Sequence, residues 1–254
     1  MFDVRIALLV CLCGAAAACG ETTAGGIADE QDVLAARSRA CRADDVRPLG
    51  SARVAYAAVA RRELHAFRRP GRTPFAEFGT VNVNGVPTVF GVRAVLAARD
   101  CAPRWYRVQL PRRPNGIEGW VRAADVELAQ VHTRVEVDLS ARRVTLFRDG
   151  RRVLTTTGAI GSSATPTPTG RYYVNQRLIP TNTGGPFGPG AIGISAFSEV
   201  LTGWTQGGPI AIHGTNQPWS IGKAVSNGCV RVRNDVLRRL FRQAIAGTPV
   251  IIHA

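Results

Sequence analysis

The segment Ile210-Ala211-Ile212-His213-Gly214 is followed, sixteen positions after the histidine, by Cys229 within Ser226-Asn227-Gly228-Cys229-Val230-Arg231. These are the residue types of a cysteine-nucleophile site. A thiol with an ordinary pKa of about 8.5 is only a few per cent ionised at neutral pH, so it needs a neighbouring base. An imidazole that takes the proton supplies that base and a stabilising cation. His213 ends one apolar run and Cys229 opens the next, so two neighbouring strands joined by a Gly- and Ser-containing loop bring the pair together. Gly228 frees the backbone before the cysteine to turn an N–H toward a tetrahedral oxyanion. Arg231, two residues beyond Cys229, shares its face on a strand and suits a substrate carboxylate. Ser226 and Asn227 are small polar residues able to brace the loop. A lone histidine or cysteine is more commonly structural, and the chemistry rests on the whole string.

The elements that must hold these residues are mostly strands. Val135-Glu-Val-Asp-Leu139 alternates, Arg143–Arg148 alternates, and the Asp149-Gly150 turn leads into Arg152–Thr157, a meander by pattern. Asn234-Asp235 offers an N-cap to a helix running to Ile245, with Val236, Leu237, Leu240, Phe241 and Ile245 at helical spacing. Gly247 stops it, and Pro249–Ile252 returns as a closing strand. Residues 179–203, rich in Gly and Pro, are expected to form a substrate-covering loop. Further upstream, Gly79–Gly91, Trp105–Leu110 and Gly119–Arg122 are short alternating runs, and Pro114-Asn115-Gly116 provides hairpin chemistry between the last two. A hairpin followed by Gly119-Trp120-Val121 resembles the last strands of a bacterial Src-homology-3-like barrel, with its aromatic residues expected in the core. The fold class that follows is mainly β. A small barrel-like β domain spans 46–128, and a mostly β domain with one clear helix near its C-terminus spans 131–253.

His213-Gly214-Thr215, then Ile221-Gly222, then Ser226-Asn-Gly-Cys-Val-Arg-Val232, closely resembles the signature of the L,D-transpeptidase (YkuD-type) catalytic domain. Val137–Gly150 and Thr165-Pro-Thr-Pro-Thr-Gly-Arg-Tyr-Tyr173 resemble that family's opening strands and its Thr-Pro-x-Gly turn. The resemblance covers 131–253, about half the chain. It implies a cysteine enzyme that remodels peptidoglycan stem peptides, with Cys229 as nucleophile and His213 as general base and then acid. It also implies that the backbone carbonyl of Gly214 completes the triad, in keeping with a stretch from Val200 to Asn234 that lacks Asp and Glu. The implied reaction joins stem peptides by 3→3 cross-links through a thioester and releases D-Ala. Water as acceptor would make an L,D-carboxypeptidase, and a protein lysine would attach that protein to the wall. Asn227 stands where many relatives carry His. Trp219 and Tyr173 are candidate substrate contacts, with core packing as the alternative for Tyr173. Acyl transfer of this kind calls for no cofactor, and the scattered His65, His132, His213 and His253 have no zinc spacing with the cysteines.

Met1–Arg5, the apolar run from Ile6 and the small-residue tract Gly14–Ala18 point to an export signal over 1–18. Small residues running into Cys19 resemble a bacterial lipoprotein site, which makes Cys19 a lipidation candidate, with simple secretion as the alternative. Residues 19–45 resemble a tether. The expected location is the cell envelope, periplasmic or on the outer face of the membrane. The longest uncharged apolar run, Ile6–Ala18, is too short for the roughly 20 residues of a spanning helix. In the exported chain Cys41, Cys101 and Cys229 remain, an odd number; Cys41 and Cys101 are the disulfide candidates and Cys229 the free thiol. The net charge is +14, and of the 32 basic residues all but Lys223 are arginine. Such an excess suits an anionic cell-wall polymer or membrane surface, unless it reflects coding bias alone. Export and the lack of any helix-turn-helix or ribonucleoprotein motif argue against nucleic acid. A non-catalytic wall-binding protein is the alternative from another class.

Overall fold

Runs of β-branched and aromatic residues at a two-residue period make strands of most of the chain. The structure, a computed structural model, describes residues 45–254. The expected export signal over 1–18, nearly all of the expected tether, Cys19 and Cys41 lie outside the described residues.

Eight strands make the first sheet: β1 (Val46–Pro48), β2 (Ala55–Ala60), β3 (Leu64–Phe67), β4 (Pro74–Phe78), β5 (Val89–Ala97), β6 (Pro103–Gln109), β7 (Glu118–Arg122) and β8 (Val126–Val131). Their order is β4-β3-β7-β6-β5-β2-β8, with β1 paired to β5. The sheet curls around a core that includes Leu64, Phe90, Val108, Leu110 and Val121. The hairpin of β6 and β7 pairs Trp105 with Arg122 and Gln109 with Glu118. Trp105 is buried and meets the Phe67 ring edge-on, so it is core, as its aromatic character suggested.

The second group comprises β9 (Thr133–Asp138), β10 (Arg143–Arg148), β11 (Arg151–Thr157), β12 (Ile160–Gly161), β13 (Gly170–Leu178), β14 (Ala191–Phe197), β15 (Pro209–His213), β16 (Ala224–Ser226), β17 (Val230–Arg231) and β18 (Pro249–His253). Eight of them form a sheet in the order β11-β10-β9-β18-β13-β14-β15-β17, while β12 and β16 pair separately in parallel. Among the described residues one α-helix, α1 (Asn234–Gln243), buries Leu237 and Leu240 against this sheet, with Val236 and Phe241 packed at the margin.

Three local expectations change. The run Gly79–Gly91 is not one strand: after β4 it forms a hairpin tip in which Asn82 Oδ1 accepts the N–H of Asn84 at 2.9 Å, and only its end enters β5. An Asx turn of this kind competes with strand pairing, which leaves Val83 exposed at the tip. Residues 179–203 are not one loop, because β14 lies inside them with Ile192 and Ile194 buried. The flanking glycines and prolines mask that apolar run. Helix α1 stops at Gln243, leaving Ile245 outside it and exposed, and its N-cap position is Arg233 without a side-chain cap. Asn234 spends its side chain elsewhere, as described below. The expected closing strand is present as β18, which sits between β9, to which it is parallel, and β13, to which it is antiparallel.

The two sheets meet through specific contacts. Gln109 Nε2 donates to Arg171 O at 2.8 Å, Arg113 to Gly207 O at 2.7 Å, and Asn115 makes two bonds to the backbone of Phe197. Gly91 is required here, since a Cβ would stand 2.8 Å from the ring of Tyr173.

Candidate active site

Strands β15 and β17 are parallel neighbours, with Ile212 opposite Val230 and His213 opposite Arg231. Ile212 and Val230 turn into the core. His213 and Arg231 therefore share the opposite face, and Cys229, two residues before Arg231, belongs to that face too. The same register carried back one residue puts Cys229 beside Ala211, whose backbone hydrogen-bonds the thiol. Cys229 is a free, partly accessible cysteine.

His213 is buried at 4% exposure, and its Nδ1 lies 2.5 Å from the carbonyl oxygen of Gly214. A carbonyl only accepts, so this contact assigns the proton to Nδ1 and leaves Nε2 with a lone pair. Burial lowers the histidine pKa to about 4, against the upward pull of the Gly214 bond and with a smaller push from Arg231. Burial also raises the Cys229 thiol, while the Ala211 backbone bond and Arg231 oppose it. Both groups are thus neutral near pH 7, the imidazole able to accept a proton and the thiol still holding its own.

The loop that carries Cys229 is tied internally. Ser226 is buried, and its hydroxyl donates to Cys229 O at 2.5 Å while accepting the Gly228 N–H at 3.2 Å. Its carbonyl accepts from Thr165 Oγ1 and from the Ser162 N–H. Gly228 has φ +104°, which a side chain would strain. The Gly228 N–H, expected to face an oxyanion, donates to Ser226 Oγ in this structure. Arg231 is also partly committed, with Nη1 donating to Gln217 Oε1 at 2.9 Å and a buried Nε that has no partner. Asn227 is exposed. Trp219, on the segment that links β15 to β17, is 59% exposed, and its ring lies under the Lys223 ammonium. Tyr173 packs between the two sheets at 1% exposure, so it is core and not a substrate contact. Cys101 is disulfide-bonded, whereas the expected partner Cys41 lies outside the described residues.

Two contributors escaped the sequence reading. Asn234 Oδ1 accepts the N–H of Thr215 at 2.8 Å, and a Cβ on Gly188 or Gly214 would come within 2.3 or 2.4 Å of that same oxygen. Asn234 therefore clamps the His213-Gly214-Thr215 backbone, and two glycines make room for it. An asparagine at a helix start resembles a cap, so nothing local pointed to this use. Phe187 meets the His213 ring edge-on at 4.9 Å between centroids. Its place in a Gly- and Pro-rich segment hid it.

The family model described as the L,D-transpeptidase catalytic domain, YkuD, matches residues 132–252. The putative L,D-transpeptidase YkuD of Bacillus subtilis is 39% identical over 119 residues, which cover 47% of this chain and 65% of that protein. Its counterpart from Bacillus licheniformis is 40% identical over 119 residues, 47% of this chain and 64% of that protein. The chain thus spans just under two thirds of the length of these relatives. The solved catalytic domain of the Enterococcus faecium L,D-transpeptidase aligns at 26% identity over 48% of this chain and 96% of that one, with a TM-score of 0.36. Residues 132–252 thus match the L,D-transpeptidase catalytic-domain model and are similar to YkuD-type L,D-transpeptidases over the same stretch.

Proposed function

We propose that this protein is an exported peptidoglycan L,D-transpeptidase that forms 3→3 cross-links through a thioester on Cys229. The observation that carries the reading is the β15–β17 register, which sets His213 and Cys229 on one face with the imidazole tautomer held by Gly214 O. In the first step His213 Nε2 takes the thiol proton as Sγ attacks the carbonyl between the third stem residue and the terminal D-Ala. The tetrahedral oxyanion collapses with C–N cleavage, and the imidazolium returns its proton to the departing amine of D-Ala. The side-chain amine of a second stem then attacks the thioester, His213 accepts the amine proton, and the thiol is restored. Arg231, beside the nucleophile with an unpartnered Nε, supports a role in orienting a substrate carboxylate. The location in the envelope, a lipid on Cys19 and retention by anionic polymer through the +14 charge belong to the same reading.

The test is mass spectrometry of a purified disaccharide-tetrapeptide incubated with the full chain and with Cys229→Ala. A cross-linked dimer with loss of D-Ala is expected, reduced on the order of a thousandfold or more in the variant. Tripeptide alone would make the protein a carboxypeptidase. Unchanged substrate, from folded protein with a titratable thiol, would overturn the reading.

A further inference from the structure

A cleft of about 390 Å³ between the two sheets is not lined by Cys229 or His213. Its walls are the hairpin tip after β4 on one side and β13, β14 and the start of β15 on the other. Five amides converge on it: Asn82, Asn84, Asn175, Gln176 and Gln206. Gln176 Oε1 accepts from Asn82 at 2.9 Å and from Asn84 at 2.8 Å, and Gln206 donates to Asn84 at 2.9 Å. Asn175 Oδ1 is buried and has no partner, an acceptor that calls for a donor. Phe78 and Phe197 supply apolar surface. Although the chain has 32 basic residues, none lines this cleft, and Glu77 is its one charged group.

The cleft and the nucleophile lie along one row of the sheet. Gln176 pairs with Gly193, Gly193 with Ala211, and Ala211 neighbours Cys229. Three inter-strand spacings put Gln176 about 14 Å from Cys229. Gln176 lies across Gly193 on this face, since a Cβ there would meet its Cγ at 2.6 Å. Between them in that row stand only Gly193, buried beneath the Gln176 side chain, and the small side chain of Ala211.

We propose that this cleft binds an uncharged N-acetylated saccharide, the glycan part of the substrate whose stem peptide reaches Cys229. Amides that both donate and accept, set beside aromatic faces, match hydroxyl and acetamido groups. A stem peptide, with its carboxylates, would meet Glu77 and no cation. The volume lies within the range of small-ligand sites. The hairpin of the first sheet thereby becomes part of the substrate site of the second. This assignment rests on the transpeptidase reading only for the identity of the saccharide's carrier.

The experiment is calorimetric titration of the full chain bearing Cys229→Ala with the trimer of N-acetylglucosamine, repeated with Asn175→Leu or Asn84→Ala added. Saturable binding is expected, weakened about tenfold or more by each added variant. With Cys229 present, Asn175→Leu should raise KM for a disaccharide-tetrapeptide and leave KM for the sugar-free tetrapeptide unchanged. Asn84→Ala, on the hairpin, serves as the second variant if Asn175→Leu does not fold. No saturable binding, equal binding by folded variants, or displacement of the cleft's ligand by a charged stem peptide alone would overturn the assignment. Binding of the trimer without acyl transfer would sink the transpeptidase reading and leave the saccharide site standing; acyl transfer without binding would do the reverse.

Discussion

In the proposed reaction a thiol kept protonated by burial depends on its base at the moment of attack, and the buried His213 imidazole is neutral at nearly every working pH. With the imidazole pKa lowered to about 4, the acid limb of kcat/KM should fall near pH 4 and not near 6.5. A pH–rate profile whose acid limb lies at the ordinary histidine value would remove the buried neutral imidazole from the mechanism. The same shift has a stability consequence. A folded pKa below the unfolded one means the unfolded chain binds the extra proton first, so stability is intact above pH 6.5 and drains away as pH falls toward 4. The contribution of His213 is about 3 kcal/mol over that window, and denaturant titrations of His213→Gln should lack it. Asn234 works through another residue. Asn234→Ala leaves the Thr215 N–H without its acceptor, at a cost of about 1–3 kcal/mol, and releases the Gly214 carbonyl that holds the imidazole. kcat should fall roughly tenfold to a hundredfold with KM nearly unchanged. Nitrogen NMR of His213 should show a single Nδ1-protonated tautomer in the parent and a mixture in the variant. A variant that loses stability but keeps both tautomer and kcat would reduce Asn234 to a structural role.

At the scale of elements, the nucleophile loop depends on a second loop folded tightly against it. Gly161, at the end of β12, donates its N–H to Thr167 Oγ1 at 2.8 Å, and an added Cβ would meet Thr165 O at 2.3 Å and Thr167 N at 2.5 Å. Those are backbone atoms, so the loop over 162–167 would have to move. That loop supplies the two donors to Ser226 O, and Ser226 in turn holds Cys229 O and the Gly228 N–H. Gly161→Ala is therefore expected to destabilise by about 1–3 kcal/mol and to depress acyl transfer, as read by denaturant titration and by product formation. Full activity in Gly161→Ala would show that the nucleophile does not need this brace. The meander β9–β11 and the hairpin β6–β7 form because each is joined by a short turn, Asp149-Gly150 in one and a turn closed by Asn115-Gly116 in the other. Local chemistry suffices for elements of that kind. It did not suffice for β14, whose apolar run is bordered by the same glycines and prolines that mark loops.

Across the whole molecule, the two sheets share a contact surface rich in side-chain to backbone bonds, and they are expected to unfold together. Gly91→Ala drives a methyl group into the Tyr173 ring, which is itself fully buried and unable to retreat. A single cooperative thermal transition, lowered by about 1–3 kcal/mol of stability in that variant, is the expected calorimetric result. Two transitions, of which one alone responds, would make the sheets independent. Their coupling bears on the proposed saccharide site because the hairpin tip after β4 reaches Gln176 on the sheet that carries Cys229.

The residue types of the site and the meander that leads to it were determined by sequence alone, because a Cys–His pair beside glycines and a run of alternating strands are local patterns. So was the amphipathic helix, through the spacing of Leu237 and Leu240. Only the tertiary structure decided that the last strand, β18, lies in the middle of its sheet, since its place depends on pairing with β9, more than a hundred residues away. It alone decided that Asn234 clamps Thr215, that Gly228 gives its N–H to Ser226, and that Tyr173 fills the junction of the two sheets. Each of these rests on which polar or aromatic group finds a partner across the fold, and a pattern along the chain carries no record of that.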